Sequence, residues 1–377
     1  MKKLLALPAF ALSVVACDLP PLVPPTGVDT TRLAEFKRAV PKKQNLVASL
    51  PASAAGAGAA VGDAAQYPQM AVPHVVGVNT LIGNILDTVE LVVATPPTVF
   101  NSETQEYLWG PFDNEDSPLA GDKGIVFIVD KGEEADFRYN FAFARLMGDD
   151  VATAVPVIFG AVNPDPEIDD EGNGILLIDF EASRAFAEAN GGAVDAEARG
   201  RFATGFSRAP NPDDDGGIVT IVVGSFRGFN GEGGAETIDV DHLWGNVQGS
   251  DGNKLDFVNL AIEGNVLPDT TAQETLDMQL VMFNGGVGRG EVILTGGDAG
   301  TNTGDGIECW NAAVEQQFYE VTLTDDQGTE TNIETQGVAT SCGAPFNVPL
   351  AELNLPTLGS IDQGIVTALQ NAAENGL

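Results

Sequence analysis

The chain has 377 residues, enough to bury a sizeable core in one large domain or two small ones. Its 54 acidic residues outnumber its 18 basic ones, which gives a net charge of -36. A charge of this sign and size repels nucleic-acid phosphates and excludes DNA or RNA as a partner. A hydrophobic content of 44% excludes wholesale disorder. A surface this acidic is typical of proteins adapted to high salt. It is less typical of proteins with a specific cation site.

The first eighteen residues have the layout of an export signal. Lys2 and Lys3 form a positive n-region, and residues 4–15 form an apolar stretch that is too short to span a bilayer. Residues 14–17, Val-Val-Ala-Cys, match a lipobox, so this leader resembles the signal of a bacterial lipoprotein. The resemblance implies cleavage after residue 16 and lipidation of Cys17. It places the chain in the cell envelope, on the inner or outer membrane, facing the periplasm or the surface. An ordinary signal with a chance cysteine is the alternative.

Residues 17–69 are predicted to be a flexible tether. Prolines at its start favour an extended chain, and residues 52–65 are rich in alanine and glycine. Between these stretches, a basic patch faces one local acid, Glu35. It is predicted either to contact anionic lipid headgroups or to be a short solvated helix. The patch consists of Arg32, Lys37, Arg38, Lys42 and Lys43.

Residues 70–377 are predicted to form a single β-rich domain with packing helices. Apolar residues recur every three or four positions over Val72–Ala94, which predicts a long helix with one apolar face. Its polar residues make it too polar for a membrane span, so it needs a partner surface. Near the end of the chain, Ser360 and Gln363 predict a capping box that starts a short C-terminal helix.

Between residues 104 and 340 the apolar period changes to two, which indicates strands. About twelve strands joined by short turns predict a mainly β fold: a large antiparallel meander that forms a barrel or a curved half-barrel. Two apolar rows on such strands are candidates for lining a ligand site, although ordinary core is the alternative. The candidate residues are Phe137, Tyr139, Phe141, Phe143, Met278 and Met282.

Two cysteines remain once Cys17 is assigned to lipidation. Cys309 and Cys342 are predicted to form a disulfide, as is usual in an oxidising compartment. Closing a loop of about 33 residues stabilises a fold by roughly 3–4 kcal/mol in the chain-entropy model.

In one acidic loop, the spacing of the oxygen-bearing residues matches that of a known metal-binding loop. Asn211, Asp213 and Asp215 place oxygen atoms at the first, third and fifth positions, with Gly216 at the sixth, as in the opening of a calcium loop. The twelfth position lacks the acidic ligand, so the same loop also fits an exposed hairpin turn. Calcium is therefore a candidate ion, and we expect no other cofactor.

Catalytic signatures are not found in the sequence. Of the two histidines, His74 lies in the predicted helix and His242 on the apolar side of a strand. We expect a non-enzymatic, membrane-anchored lipoprotein that binds a lipid or another hydrophobic molecule. The alternative is a structural or adhesion protein of the envelope, with acidic loops bridged by calcium to a partner.

Overall fold

Each strand of the sheet pairs with the strand that follows it in the chain, always antiparallel, in the computed structural model of this protein. The structure describes residues 30–39, 42–48, 50, 60–114, 117, 119–165, 171–193, 198–211, 214–230, 238–265, 272–283 and 286–376. The described residues form five α-helices and fifteen strands. The predicted fold class is confirmed: a mainly β meander with one long helix and a short C-terminal helix.

The elements have the following bounds. The helices are α1 Thr30–Ala39, α2 Lys43–Leu46, α3 Gln66–Val93, α4 Phe180–Ala189 and α5 Gln363–Asn375. The first eight strands are β1 Val99–Asn101, β2 Glu106–Asp113, β3 Asp122–Asp130, β4 Tyr139–Met147, β5 Val155–Pro164, β6 Gly172–Asp179, β7 Arg199–Pro210 and β8 Ile218–Asn230. The others are β9 Ile238–Gln248, β10 Lys254–Gly264, β11 Glu274–Phe283, β12 Val287–Gly296, β13 Thr303–Trp310, β14 Gln316–Thr324 and β15 Glu330–Gly337.

The sheet is open, because among the described residues β1 pairs only with β2 and β15 only with β14. Both of its faces are covered. The inner face, which carries Phe141, Trp244 and Met278, packs against α1, α2 and α3. The outer face, which carries Leu243 and Cys309, packs against the C-terminal segment of the chain. Alternate residues of one strand therefore enter two different cores.

Helix α3 lies across the strands of the inner face. Its start meets Glu308 on β13, and just beyond its end the carbonyl of Thr95 accepts a hydrogen bond from the indole of Trp109 on β2 (3.0 Å). A 28-residue helix is about 42 Å long, whereas eleven flat strand spacings would span about 53 Å. The sheet therefore curves around the helix as an open half-barrel.

A buried carboxylate fixes the first turn of α3. Glu308 is fully buried, and its two oxygens accept hydrogen bonds from the amides of Gln66 and Tyr67 at 2.8 Å each. The Tyr67 ring passes close to β13. A Cβ at Gly306 would lie 1.9 Å from the Tyr67 hydroxyl, so a larger residue there would displace the Tyr67 ring. The carboxylate satisfies two amides that no helix can pair internally.

Loss of this cap should be costly. We expect Glu308→Ala to lower the free energy of unfolding by about 2–4 kcal/mol, because two poorly solvated amides lose their partners. Urea denaturation at pH 4.5, where the contribution of Glu308 is still present, measures the change. Glu263→Ala is the matched control, since Glu263 is exposed on β10. Equal stability of the two variants would contradict the role of Glu308 as the cap.

The Glu308 carboxyl also predicts that the stability of the fold depends on pH. Burial raises the pKa of Glu308 to about 7 although the two amides lower it. A raised pKa means that the stabilising contribution is complete below the unfolded value of 4.5 and is lost as the pH rises through 7. We expect this loss, about 3 kcal/mol, in the native protein and not in Glu308→Gln. Parallel stability curves over this pH range would contradict it.

Helix α3 differs from its prediction at one end. It begins at Gln66, six residues before the predicted start, because Glu308 supplies a cap from a distant strand. By length and composition α3 is apolar enough to cross a membrane, so its polar residues do not by themselves exclude a span; core helices pass the same test. In the structure, ten of its residues are buried, and the helix packs against the sheet.

Part of the predicted tether packs on the inner face. Arg32 on α1 donates to buried Asp130 (2.9 Å), and the ring of Phe36 is fully buried. Leu46 on α2 is buried as well, and its carbonyl accepts a hydrogen bond from the Trp244 indole (2.8 Å). Helices α1 and α2 therefore belong to the domain core. A few apolar residues decide this, namely Leu33 and Phe36 in α1 and Leu46 in α2, which composition alone does not reveal. The predicted signal peptide and Cys17 lie outside the described residues.

The C-terminal helix is present, with a different cap. α5 begins at Gln363, and its cap is the carboxylate of Asp362, which accepts from the Gly364 amide (2.8 Å). Ser360 instead closes a preceding 3₁₀ turn, in a reciprocal box with Thr357. The predicted capping box between Ser360 and Gln363 was therefore wrong, because the carboxylate next to the helix is the better placed acceptor.

Candidate binding cleft

The C-terminal segment, residues 338–376, crosses the outer face and is fastened at both ends. Near its start, Cys342 lies at disulfide distance from Cys309 on β13, with the two sulfurs 2.04 Å apart. At its far end, Arg201 on β7 donates to the Glu374 carbonyl (2.9 Å), and Gln370 donates to Asp241 on β9 (2.7 Å). The segment therefore forms a strap over the middle strands.

A cleft of about 560 Å³ lies between this strap and the outer face. Its floor is formed by β8, β10 and β11, and its wall by residues 350–361 of the strap. The lining is mainly aliphatic, with Phe257 and Val281 on the floor and Leu350 and Ile361 on the wall. Both the volume and the apolar lining fall in the range of small-molecule sites in proteins.

Two side-chain amides stand on the floor of the cleft. Asn259 on β10 and Gln279 on β11 are directly opposite each other in the sheet register. Asn259 is 5% exposed, and Gln279 is partly exposed. A side-chain amide carries both donors and acceptors, so a ligand in the cleft could form a hydrogen bond with either one.

Hydroxyl groups on the wall are already engaged. The Ser360 hydroxyl donates to the Thr357 carbonyl and accepts from the Thr357 amide, both at 2.8 Å. The Thr357 side chain in turn accepts from the backbone of Ser360. The two floor amides are therefore the side chains best placed to hydrogen-bond a ligand.

The cleft carries no charge in a very acidic protein. None of its lining residues is Asp, Glu, Lys, Arg or His, although the chain has 54 acidic residues. A charged ligand would lose hydration here and gain no opposite charge in return. The geometry fits an uncharged molecule with an apolar body and one or two polar groups.

The residues predicted to line a ligand site lie mostly in the inner core. Tyr139, Phe141, Met278 and Met282 are buried against the helices, and Phe143 is partly buried beside them. Phe137 precedes β4 and belongs to a separate small cluster with two residues of neighbouring strands. The structure thus brings five of the six together on the inner face, under the helices.

The inner face has little free space while α3 is in place. The void beside Phe141 has about 30 Å³ and a wholly apolar lining that includes Ile82 and Ile85 of α3. That volume is close to the share of one water molecule in the liquid. A lipid would have to displace the helices to enter, so the larger space on the outer face is the better candidate site.

His242 is buried in an aromatic stack on the inner face. Its ring lies 4.2 Å from the Trp244 ring and 5.6 Å from the Phe202 ring. Neither ring nitrogen has a hydrogen-bond partner among the described residues. Burial, and to a lesser extent His74, lowers the pKa of His242 to about 3, which keeps it neutral. Next to it in sequence, Asp241 points to the outer face and bonds Ser225 there. The sheet separates these groups.

The predicted calcium loop is partly engaged by the protein itself. Asn211 and Asp215 are described, whereas Asp213 lies outside the described residues. The neighbouring carboxylate, Asp214, accepts hydrogen bonds from the Ser250 amide (2.8 Å) and hydroxyl (2.7 Å), which hold its pKa below the usual value. Within the described ranges, no three His, Cys, Asp or Glu residues are grouped to hold a metal ion.

Comparison with known proteins gives no family for this chain. No protein-family model, no curated protein and no solved structure matches it.

Sequence reasoning missed the cleft, although one signal for its floor was present. Asn259 and Gln279 are uncharged polar residues on adjacent strands, each flanked on the same face by a large apolar residue, Phe257 or Val281. An exposed face would carry charges at such positions, as Asp277 does two residues away. Nothing in the sequence of residues 350–361 indicates that they form the wall of the cleft, because their position over the sheet depends on the tertiary fold.

Proposed function

We propose that this chain is a lipid-anchored, non-enzymatic binding protein of the cell envelope. Its ligand is an uncharged molecule with an apolar body, held in the cleft under the C-terminal strap. The observation that carries this proposal is the charge-free cleft of about 560 Å³ with two side-chain amides on its floor. The lipoprotein-like leader and a cysteine pair at disulfide distance support an address outside the cytoplasm.

The proposed ligand is still a hydrophobic molecule, as expected from the sequence, but its site is the cleft on the outer face and not the inner face. The residues predicted to line a site for a hydrophobic ligand lie mostly on the inner face, where α3 leaves about 30 Å³. On the outer face, aliphatic walls would bury the apolar body, and the amides of Asn259 and Gln279 would orient its polar end. The membrane anchor would hold such a protein close to lipids, a common source of uncharged amphipathic molecules.

Blocking the cleft tests the proposal. Ala351 lines the cleft and is exposed, so Ala351→Trp fills the space without removing core contacts. We expect native mass spectrometry of the exported protein to show a bound neutral molecule that this variant lacks. Ala312→Trp is the matched control, since Ala312 is an exposed alanine in the turn before β14. We expect Gln279→Leu to weaken binding about five- to tenfold, the worth of one hydrogen bond.

Two outcomes would contradict the proposal. One is an equal amount of ligand bound to Ala351→Trp and to Ala312→Trp. The other is a native protein of apo mass whose melting temperature no neutral lipid or sterol raises. Circular dichroism of each variant shows whether it has folded, so a loss of binding is not mistaken for a loss of structure.

A further inference from the structure

The outward side of α3 carries almost no charge. From Ala64 to Leu86 the sequence has no Asp, Glu, Lys or Arg. Exposed positions recur at helical spacing along this side, and two of them are large apolar residues: Met70 is 44% exposed and Val76 is 54% exposed. An exposed helix face without charge is exceptional in a chain of net charge -36. Its composition suits a surface that is covered in use.

Basic residues flank this side of α3. Lys42 and Lys43 at the start of α2 are exposed, and the Lys43 ammonium lies 2.9 Å from Asp87, the residue directly after the uncharged stretch. Asn79 of α3 exchanges two hydrogen bonds of 2.8 Å with the backbone of Ala48, which holds the segment after α2 against α3. Lys37 on α1 is exposed as well. One acid on α1 and one on α3 form ion pairs: Glu35 with Arg138, and Asp87 with Lys43.

The predicted lipid anchor would also hold a membrane close to this side of the molecule. Only residues 18–29 separate the predicted lipid attachment at Cys17 from the start of α1 at Thr30. Such a length of chain reaches at most about 45 Å. α1 contacts the same side of the molecule as α3, so a lipid on Cys17 would keep this side close to the bilayer.

We propose that the uncharged side of α3, with Lys37 beside it, is a docking face for an anionic phospholipid bilayer. The inference rests on the lipid anchor in the proposed function. Met70 and Val76 would enter the headgroup boundary, while Lys37 meets lipid phosphates. The strongly acidic remainder of the protein would point away from the membrane, which leaves the cleft on the opposite face of the sheet open.

Vesicle flotation tests this face without the anchor. The protein is the mature chain, residues 17–377, with Cys17→Ser. The vesicles are phosphatidylcholine alone, or phosphatidylcholine with one third phosphatidylglycerol. We expect binding to the anionic vesicles at least about tenfold tighter than to the neutral ones, and weaker binding as salt is added. We expect Val76→Glu to weaken it at least about tenfold, and Lys37→Gln about fivefold.

The control is an equally exposed apolar residue elsewhere. Ile333 is 59% exposed on the edge strand β15, and Ile333→Glu should bind vesicles like the parent protein. Equal binding by Val76→Glu and Ile333→Glu, or no binding of the parent to anionic vesicles, would overturn the proposal. So would a parent dimer that Val76→Glu converts to a monomer in sedimentation, because a second copy would then be the occupant.

Two other measurements show whether the proposed function fails, independently of the docking face. Acylation of Cys17 is measured by the mass of the chain purified from membranes, and ligand binding by the Ala351→Trp comparison. Neither measurement depends on Val76. A chain without acyl groups that still binds vesicles through Val76 would refute the anchor and keep the docking face.

Discussion

Cys342→Ser is expected to lower the free energy of unfolding by about 3–4 kcal/mol and to empty the cleft. The first effect follows from the loop of 33 residues between the two cysteines, which the bond restricts in the unfolded chain. The second follows from the strap, because residues 350–361 form the cleft wall and Cys342 is its fixed point on the N-terminal side. Urea denaturation measures the first effect and native mass spectrometry the second.

Reductant provides the matched comparison. The native protein in dithiothreitol should lose as much stability as Cys342→Ser, and the double variant with Cys309→Ser should lose no more than either single one. Dithiothreitol should leave the double variant unchanged. Proteolysis within residues 343–361 should become faster in all of these states. A native protein that unfolds at the same urea concentration with and without reductant would refute the role of the strap.

His242→Phe is expected to remove a steep loss of stability in acid. Because burial lowers the folded pKa of His242 to about 3 from 6.5, its contribution is present above pH 6.5 and is lost as the pH falls through 3. The full loss is about 5 kcal/mol. Phenylalanine keeps the stacking with Trp244 and Phe202 and removes two buried nitrogens without partners among the described residues. At pH 7 we expect equal or greater stability.

His74 supplies the control for this experiment. It is the other histidine of the chain, it lies on α3, and burial also lowers its pKa. We expect His74→Gln to retain most of the acid sensitivity, since His242 is its main source. The difference in free energy between His242→Phe and the native protein should grow as the pH falls from 6.5 to 3. A constant difference would show that His242 is solvated or already protonated.

The parts of the fold set by local periodicity were predictable. The apolar spacing of three and four over residues 72–94 gave most of α3, and alternation gave about twelve of the strands. The strands that were missed lack that alternation. β13 contains Gly304 and Gly306, which interrupt its pattern, and β15 is exposed over most of its length, so it has no buried face to mark. β1 has only three residues.

Contacts between residues far apart in the sequence account for most other differences between the predictions and the structure. The early start of α3 depends on Glu308, whose carboxylate looks like any other acid in a chain that has 54. The packing of α1 and α2 depends on few apolar residues, Leu33 and Phe36 in α1 and Leu46 in α2, within mainly polar segments. The disulfide partners followed from counting cysteines, whereas the cleft required knowing that residues 350–361 lie over Asn259 and Gln279.

The cap on α3 also sets an order of events during synthesis. Glu308 follows Tyr67 by 241 residues, and every strand that covers α3 is made after the helix itself. At about 5–20 residues per second, the ribosome needs roughly 10–50 s to make that stretch. Throughout this time the most apolar helix of the chain has neither its cap nor its full cover. A newly made chain therefore depends on a chaperone, or on the hairpins that form one after another behind the helix, to keep α3 from aggregating.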